Sequence, residues 1–295
     1  MASLRLTTTH NERLFLALNT LFLLAVAAAA FYPILNILST SFSSAFMADR
    51  GLVYLLPKQF NMKTWNFILH DASMWRALGV NIYVAGVGTI LSLLVTAFFA
   101  YPLSKSYFAL RRVLMLAVVF TMIFRWPIIP YFLSVRSYGL LDTLWALILP
   151  HAVVATNLVI MRTFFMQLPE EMEEAAHLEG ANSLQILFKI VLPLSKPVMA
   201  TLGLFYAVLY WNLFMHPKLF IRSPELFNLQ LKIRELISMT SESSVVSEQF
   251  MSRADFSQVT VEAATIAFGT IPILIVYPFL QKYFVKGAML GSLKG

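Results

Sequence analysis

The sequence predicts an all-α polytopic membrane protein. Of its 295 residues, 59% are hydrophobic and only 13% are charged, whereas a soluble domain carries about 45–50% apolar and about 25% charged residues. Mean hydropathy is +0.73. The apolar residues gather into continuous runs about as long as the roughly 20 residues that cross a bilayer as a helix. They do not alternate as the strands of a membrane barrel would.

About six spans follow along the chain. The first apolar run is densest over 14–38. Arg5 and Arg13 before it, and Ala28, Ala29 and Ala30 within it, imitate a secretory signal. The run continues through Phe31, Ile34, Leu35 and Leu38, well past the 7–15 residues of a signal core, so a retained helix is expected. The second span is 77–104. The third is 113–124, resuming after Arg125 as 126–135. The fourth is 143–161, the fifth 197–217 and the sixth 263–281. Pro127, Pro130, Pro272 and Pro278 are expected to bend or break their helices. No repeat or linker divides the chain, which reads as a single domain over 1–295.

Charge and composition set the topology and exclude several functions. No cysteine is present, which removes a disulfide framework, a thiolate metal site and a cysteine nucleophile. The net charge is +7, but the basic residues flank apolar runs. They read as lipid headgroup anchors and topology signals rather than as a nucleic-acid surface. An even number of spans leaves both termini on one side. With the termini cytoplasmic, Lys105, Arg111 and Arg112 fall in an inner loop, and Lys282, Lys286 and Lys294 form a basic inner tail.

Two loops stand out. The external loop 218–262 is polar and Ser-rich. The loop 168–196, on the cytoplasmic side, opens with Pro169 and then Glu170, Glu171, Glu173 and Glu174. Proline is harmless in a first helical turn, and the helix dipole favours negative charge there. Gly180 ends or bends that helix. Leu184, Leu187 and Phe188 follow at helical spacing, with Ile190 and Leu192 extending the apolar character to Pro193. An ordered helix–glycine–helix element on the water side, without a core of its own, reads as a docking surface.

The pattern Glu174-Ala175-Ala176, Gly180, Ile190, Leu192-Pro193 resembles the EAA motif of permease subunits in type I ATP-binding-cassette importers. Pro169-Glu170-Glu171, Gly180-Ala181 and Tyr210-Trp211-Asn212 are similar to the carbohydrate-uptake branch, in particular the smaller, maltose-permease-like subunit. The ending 286–295 resembles polysaccharide and oligosaccharide permeases, including alginate and oligouronate transporters. This resemblance implies the type I importer permease fold with a cytoplasmic coupling helix. Its ATPase-coupling residues would be Glu174, Ala175, Ala176, Gly180, Ile190, Leu192 and Pro193.

The implied setting is the bacterial inner membrane. The implied partners are a second, unlike permease subunit, two ATPase subunits and an extracytoplasmic substrate-binding protein. The external loop would touch that binding protein, and the tail would reach toward the ATPase. The chain would not itself be an enzyme and would carry no cofactor; ATP and Mg would sit on the ATPase. No G-x-x-x-x-G-K-[ST] phosphate loop occurs in the sequence.

Polar groups at membrane depth are costly and are functional candidates by default. Arg125, Asn157, Tyr210, Trp211 and Asn212 are taken as substrate-path candidates, with Asn81, His151, Tyr131 and Tyr206 nearby in the same class. Each also has a plain role open to it, as packing glue or as an interfacial anchor. Arg125, Arg136, Lys218 and Arg222 lie in or near the outer halves of spans three and five. Because arginine pairs a carboxylate in bidentate fashion, an acidic oligosaccharide such as alginate or an oligouronate is the expected cargo. The competing class is an ion-coupled secondary transporter of a small solute. It needs intramembrane carboxylates, and Asp142 and Glu262 lie only at span edges.

Overall fold

The computed structural model describes residues 10–124, 127–241 and 257–292, and among them every regular element is a helix. They form two compact units. One runs up to Asp71 and takes in Glu235–Thr270; the other holds Ala72–Arg234 and continues from Ile271.

In the first unit, α1 (His10–Ser41) exposes apolar side chains such as Leu14, Phe15, Leu21, Phe22 and Phe31 along its length. That is how a helix with an apolar environment outside its own chain looks. Near its end, Asn36 donates to the carbonyls of Val53 and Tyr54 at 3.0 and 2.9 Å, pinning an extended segment. Two short helices follow, α2 (Ala45–Asp49), capped by Ser44, and α3 (Lys63–His70). Trp65 of α3 stacks on Phe42 and donates its indole N–H to Ser41 Oγ at 3.1 Å.

The second unit is organised on α4 (Ala72–Ser104). Its buried stripe is rich in small and polar residues, among them Ala77, Asn81, Gly88, Ser92, Thr96 and Ala100. Lipid is as apolar as leucine, so helices in a bilayer associate by close backbone approach and interhelical hydrogen bonds. That stripe receives α12 (Lys196–Trp211) and α8 (Ala155–Phe165).

Between α4 and α8 lie α5 (Arg111–Ile123), α6 (Ile128–Ser137), α7 (Trp145–Ile148) and a 3-10 turn, Leu149–His151. The loop after α8 carries α9 (Glu170–Leu178), α10 (Ser183–Ile186), a π turn over Leu187–Val191 and α11 (Leu192–Leu194). Beyond α12 come α13 (Met215–Phe220), α14 (Leu229–Ser241) and α15 (Gln258–Ser292).

The expected spans are less regular than the apolar runs suggest. Three described helices, within α1, α4 and α15, are long and apolar enough to cross a membrane; two bent pairs raise that number to five. The third run is split into α5 and α6, with Pro127 standing immediately before α6. The fourth bends by 50° between the 3-10 turn and α8. The break falls at 152–154, where Val154 is extended. Conversely, α15 continues through Pro272 and Pro278. A single missing N–H does not unravel a helix where no water competes for the remaining backbone groups.

Candidate functional site

The segment 168–196 is built as a stiff bracket. Helix α9 begins at Glu170, with Pro169 as its N-cap residue. It ends in a Schellman turn: Ala181 N–H bonds to Ala176 C=O at 2.9 Å, and Gly180 N–H bonds to His177 C=O at 3.0 Å. Gly180 takes φ +81°, a left-handed value that side chains disfavour. The next helix starts at once, fixed by a capping box in which Asn182 and Gln185 exchange hydrogen bonds at 2.9 Å.

Pro193 offers no N–H, and the turn before it relaxes into π geometry with Leu192 N–H reaching back to Leu187 C=O. Ile186, Leu187 and Val191 are enclosed, while Leu184 and Phe188 are exposed. Ile190 and Leu192 pack at the edge of the same core, and Pro193 is exposed. The bracket then turns by 85° into α12.

On α9 the residues divide cleanly. Glu173 and Ala176, three apart and so on one face, are buried; Ala176 joins the core of Ala97, Tyr101 and Phe165. Glu174, Ala175 and Gly180 face out, as does Leu178, which is 91% exposed. Glu173 Oε1 lies 2.5 Å from Lys105 Nζ, and Glu173 Oε2 accepts from Tyr101 O–H at 3.2 Å. Next to this pair, Arg162 Nε donates to the Leu103 carbonyl at 2.7 Å, occupying an acceptor that the end of α4 leaves free.

The path candidates fall in several environments. Tyr210 is fully buried. Its hydroxyl donates to Ile148 C=O at 3.0 Å and shares a hydrogen bond with Ser92 at 2.8 Å. Trp211 is half-buried, with its indole N–H enclosed and unpartnered. Asn212 is exposed and donates to Val208 C=O at 2.8 Å. Asn157 is buried on α8. Arg125 lies outside the described residues.

His151 and His216 meet through ring nitrogens at 3.3 Å, and His216 also bonds the Tyr131 hydroxyl at 3.0 Å. Among the described residues no group of histidines and carboxylates has the arrangement to hold a metal. Arg136, Lys218 and Arg222 are exposed.

Residues 77–289 match the family described as "Binding-protein-dependent transport system inner membrane component". The chain belongs to this family. It is similar to Protein LplC of Bacillus subtilis (strain 168), 41% identical over 292 residues, which span 98% of each chain. It is also similar to the polygalacturonan/rhamnogalacturonan transport system permease protein YtcP of the same organism, at 40% identity over 97% of this chain and 100% of that one. Among solved structures, a chain of a bacterial ABC transporter involved in the import of the acidic polysaccharide alginate superposes with a TM-score of 0.87. The two are 35% identical, with 94% of this chain and 99% of that one covered. The fold is therefore that of an ABC importer permease, and the chain is a multi-pass transport component of the inner membrane.

In this inner membrane component, sequence reasoning passed over Glu173, Lys105 and Arg162. The i, i+3 relation of Glu173 to Ala176 was the signal available for the first. Lys105 was read only as a topology charge. The sequence sets Tyr206 beside the substrate-path candidates, but its hydroxyl accepts from Val154 N–H at 3.1 Å and bonds Thr96 at 2.7 Å. It supplies a partner to the backbone freed where the fourth span breaks.

Proposed function

We propose that this permease pairs with a second, unlike permease and forms the import path for an acidic oligosaccharide of the alginate or oligouronate class. A substrate-binding protein on the outer side delivers the cargo. Two ATPase subunits, which bind ATP and Mg, grip the segment 168–196 from the cytoplasm. The observation that carries this reading is the outer face of α9, where Glu174, Ala175 and Leu178 stand free beside the Gly180 turn. A rigid, water-facing helix end with an apolar tip suits a cleft in a partner. Glu174 and the small Ala175 lie on the face offered to the partner, Ala176 seats α9 on the core, Gly180 makes the bend, and Ile190, Leu192 and Pro193 seat the bracket. Both termini lie on the ATPase side.

The acidic cargo is supported by the alginate transporter and the polygalacturonan/rhamnogalacturonan permease among the similar proteins. The exposed cations Arg136, Lys218 and Arg222 agree with it. Arg125, Asn157, Trp211 and Asn212 remain path candidates, whereas the buried hydroxyl of Tyr210 gives that residue a packing role.

Two measurements test the reading. The chain is expected to co-purify with an ATPase and to lose it on Glu174→Lys or Gly180→Pro; retention in both variants counts against α9 as the docking element. Binding-protein-dependent ATP hydrolysis in proteoliposomes is expected to rise with uronate oligomers and not with neutral ones. Equal stimulation by neutral sugars overturns the acidic cargo.

A further inference from the structure

We propose that Glu173, rather than its exposed neighbour Glu174, is the positioning residue that makes α9 a rigid part of the membrane bundle. Nucleotide-driven movement of α9 is passed to α4 through its contact with Lys105 and Tyr101. The inference rests on the proposed ATPase docking of α9.

The argument begins with how α9 is attached. It hangs between the loop 166–169 and the turn at Gly180, and only Glu173 and Ala176 of its nine residues are buried. Ala176 makes apolar contact, which is non-directional and lets surfaces slide. Glu173 has a fixed geometry. Its two carboxylate oxygens are held separately, one by Lys105 and one by Tyr101, one helical turn apart at the end of α4. The Glu173 and Lys105 side chains are only 10% and 11% exposed.

Burying such a pair contributes little net stability, but it specifies one arrangement and penalises departures from it, because separation leaves an unpaired buried charge. The same turn of α4 is held from a second side by Arg162, at the end of α8. A displacement of α9 along or away from α4 must therefore carry α4 and α8 with it, as a rigid body. This is the behaviour a lever requires.

The chain has no cysteine, so a reporter introduced on it is unique within this subunit, and its labelling is read on this subunit's own gel band. In the complete transporter in nanodiscs, His177→Cys on α9 and Lys218→Cys on α13 are each labelled with a maleimide, with and without ATP and vanadate. In the wild-type background both labelling rates change with nucleotide. With Glu173→Gln the change at 177 persists, and the change at 218 shrinks by at least about fivefold. The swapped pair Glu173→Lys with Lys105→Glu restores part of it, which a general folding defect cannot imitate.

If Glu173→Gln leaves both responses intact, or abolishes both, the proposal is overturned. If residue 177 shows no nucleotide response in the wild-type background, the docking of α9 itself is overturned, and this inference falls with it.

Discussion

The ring of Tyr210 lies against Gly88 so closely that a Cβ on residue 88 would sit 2.7 Å from it. The contact is what lets α12 close on α4 and brings the Tyr210 hydroxyl to Ser92. Gly88→Ala must push the ring or the helix away, and overpacking of this kind costs about 1–3 kcal/mol. Gly86→Ala, where a Cβ meets nothing within 4 Å, is the control. Thermal unfolding in detergent is expected to show a lower Tm for Gly88→Ala and an unchanged or higher one for Gly86→Ala.

Tyr206 satisfies Val154 N–H and Thr96 at the break in the fourth span, and it is fully buried. Tyr206→Phe keeps the ring and leaves both groups without a partner in an apolar surround, at a cost of about 1–3 kcal/mol. Adding Thr96→Val recovers only part of that, because the backbone N–H stays orphaned. A double-mutant cycle in Tm reads the two contributions.

Gly180 stands in open space but at φ +81°. The cost of Gly180→Ala is therefore backbone strain of about 1–2 kcal/mol with no packing component. Gly180→Asn, which tolerates the left-handed region better, is expected to be milder. ATPase retention on purification should follow the order Gly, Asn, Ala.

Asp142, just before the fourth span, accepts from the Ser223 hydroxyl and from the backbone N–H groups of Ser223 and Arg222. These bonds hold its carboxyl below the ordinary carboxylate value, the Ser223 hydroxyl contributing most. A lowered folded value means that its contribution to stability is present above the unfolded pKa, near 3.9. It is lost as pH falls through the lower folded value. Asp142→Asn is expected to reduce Tm at neutral pH, and the gap to wild type should narrow below about pH 4. A gap that stays constant down to pH 3 would exclude the carboxylate as its source.

Much of this was legible in the sequence. The apolar runs gave the approximate position of most membrane segments, because burial in lipid demands length and lack of charge and little else; they did not give the breaks that leave three to five described spans in place of six. The α9–Gly180–Pro193 bracket was legible because caps and breakers act within a few residues: Glu170 and Glu171 at a helix start, glycine at a left-handed turn, proline ahead of a bend. The same local logic did not register the break in the fourth span at 152–154, where neither proline nor glycine stands. Nor does spacing announce the π turn over Leu187–Val191.

The sequence by itself thus determined that this chain is a helical membrane protein with a capped helix–glycine–helix element between its fourth and fifth apolar runs, since hydrophobicity and turn chemistry are properties of short stretches. Only the tertiary structure decided which side chains do what. Tyr206 and Tyr210 turn inward to serve broken backbone, and Glu173 turns inward to Lys105 while Glu174 stays outside. These choices pair residues 52 to 68 positions apart, and no local pattern along the chain records who meets whom once the helices pack.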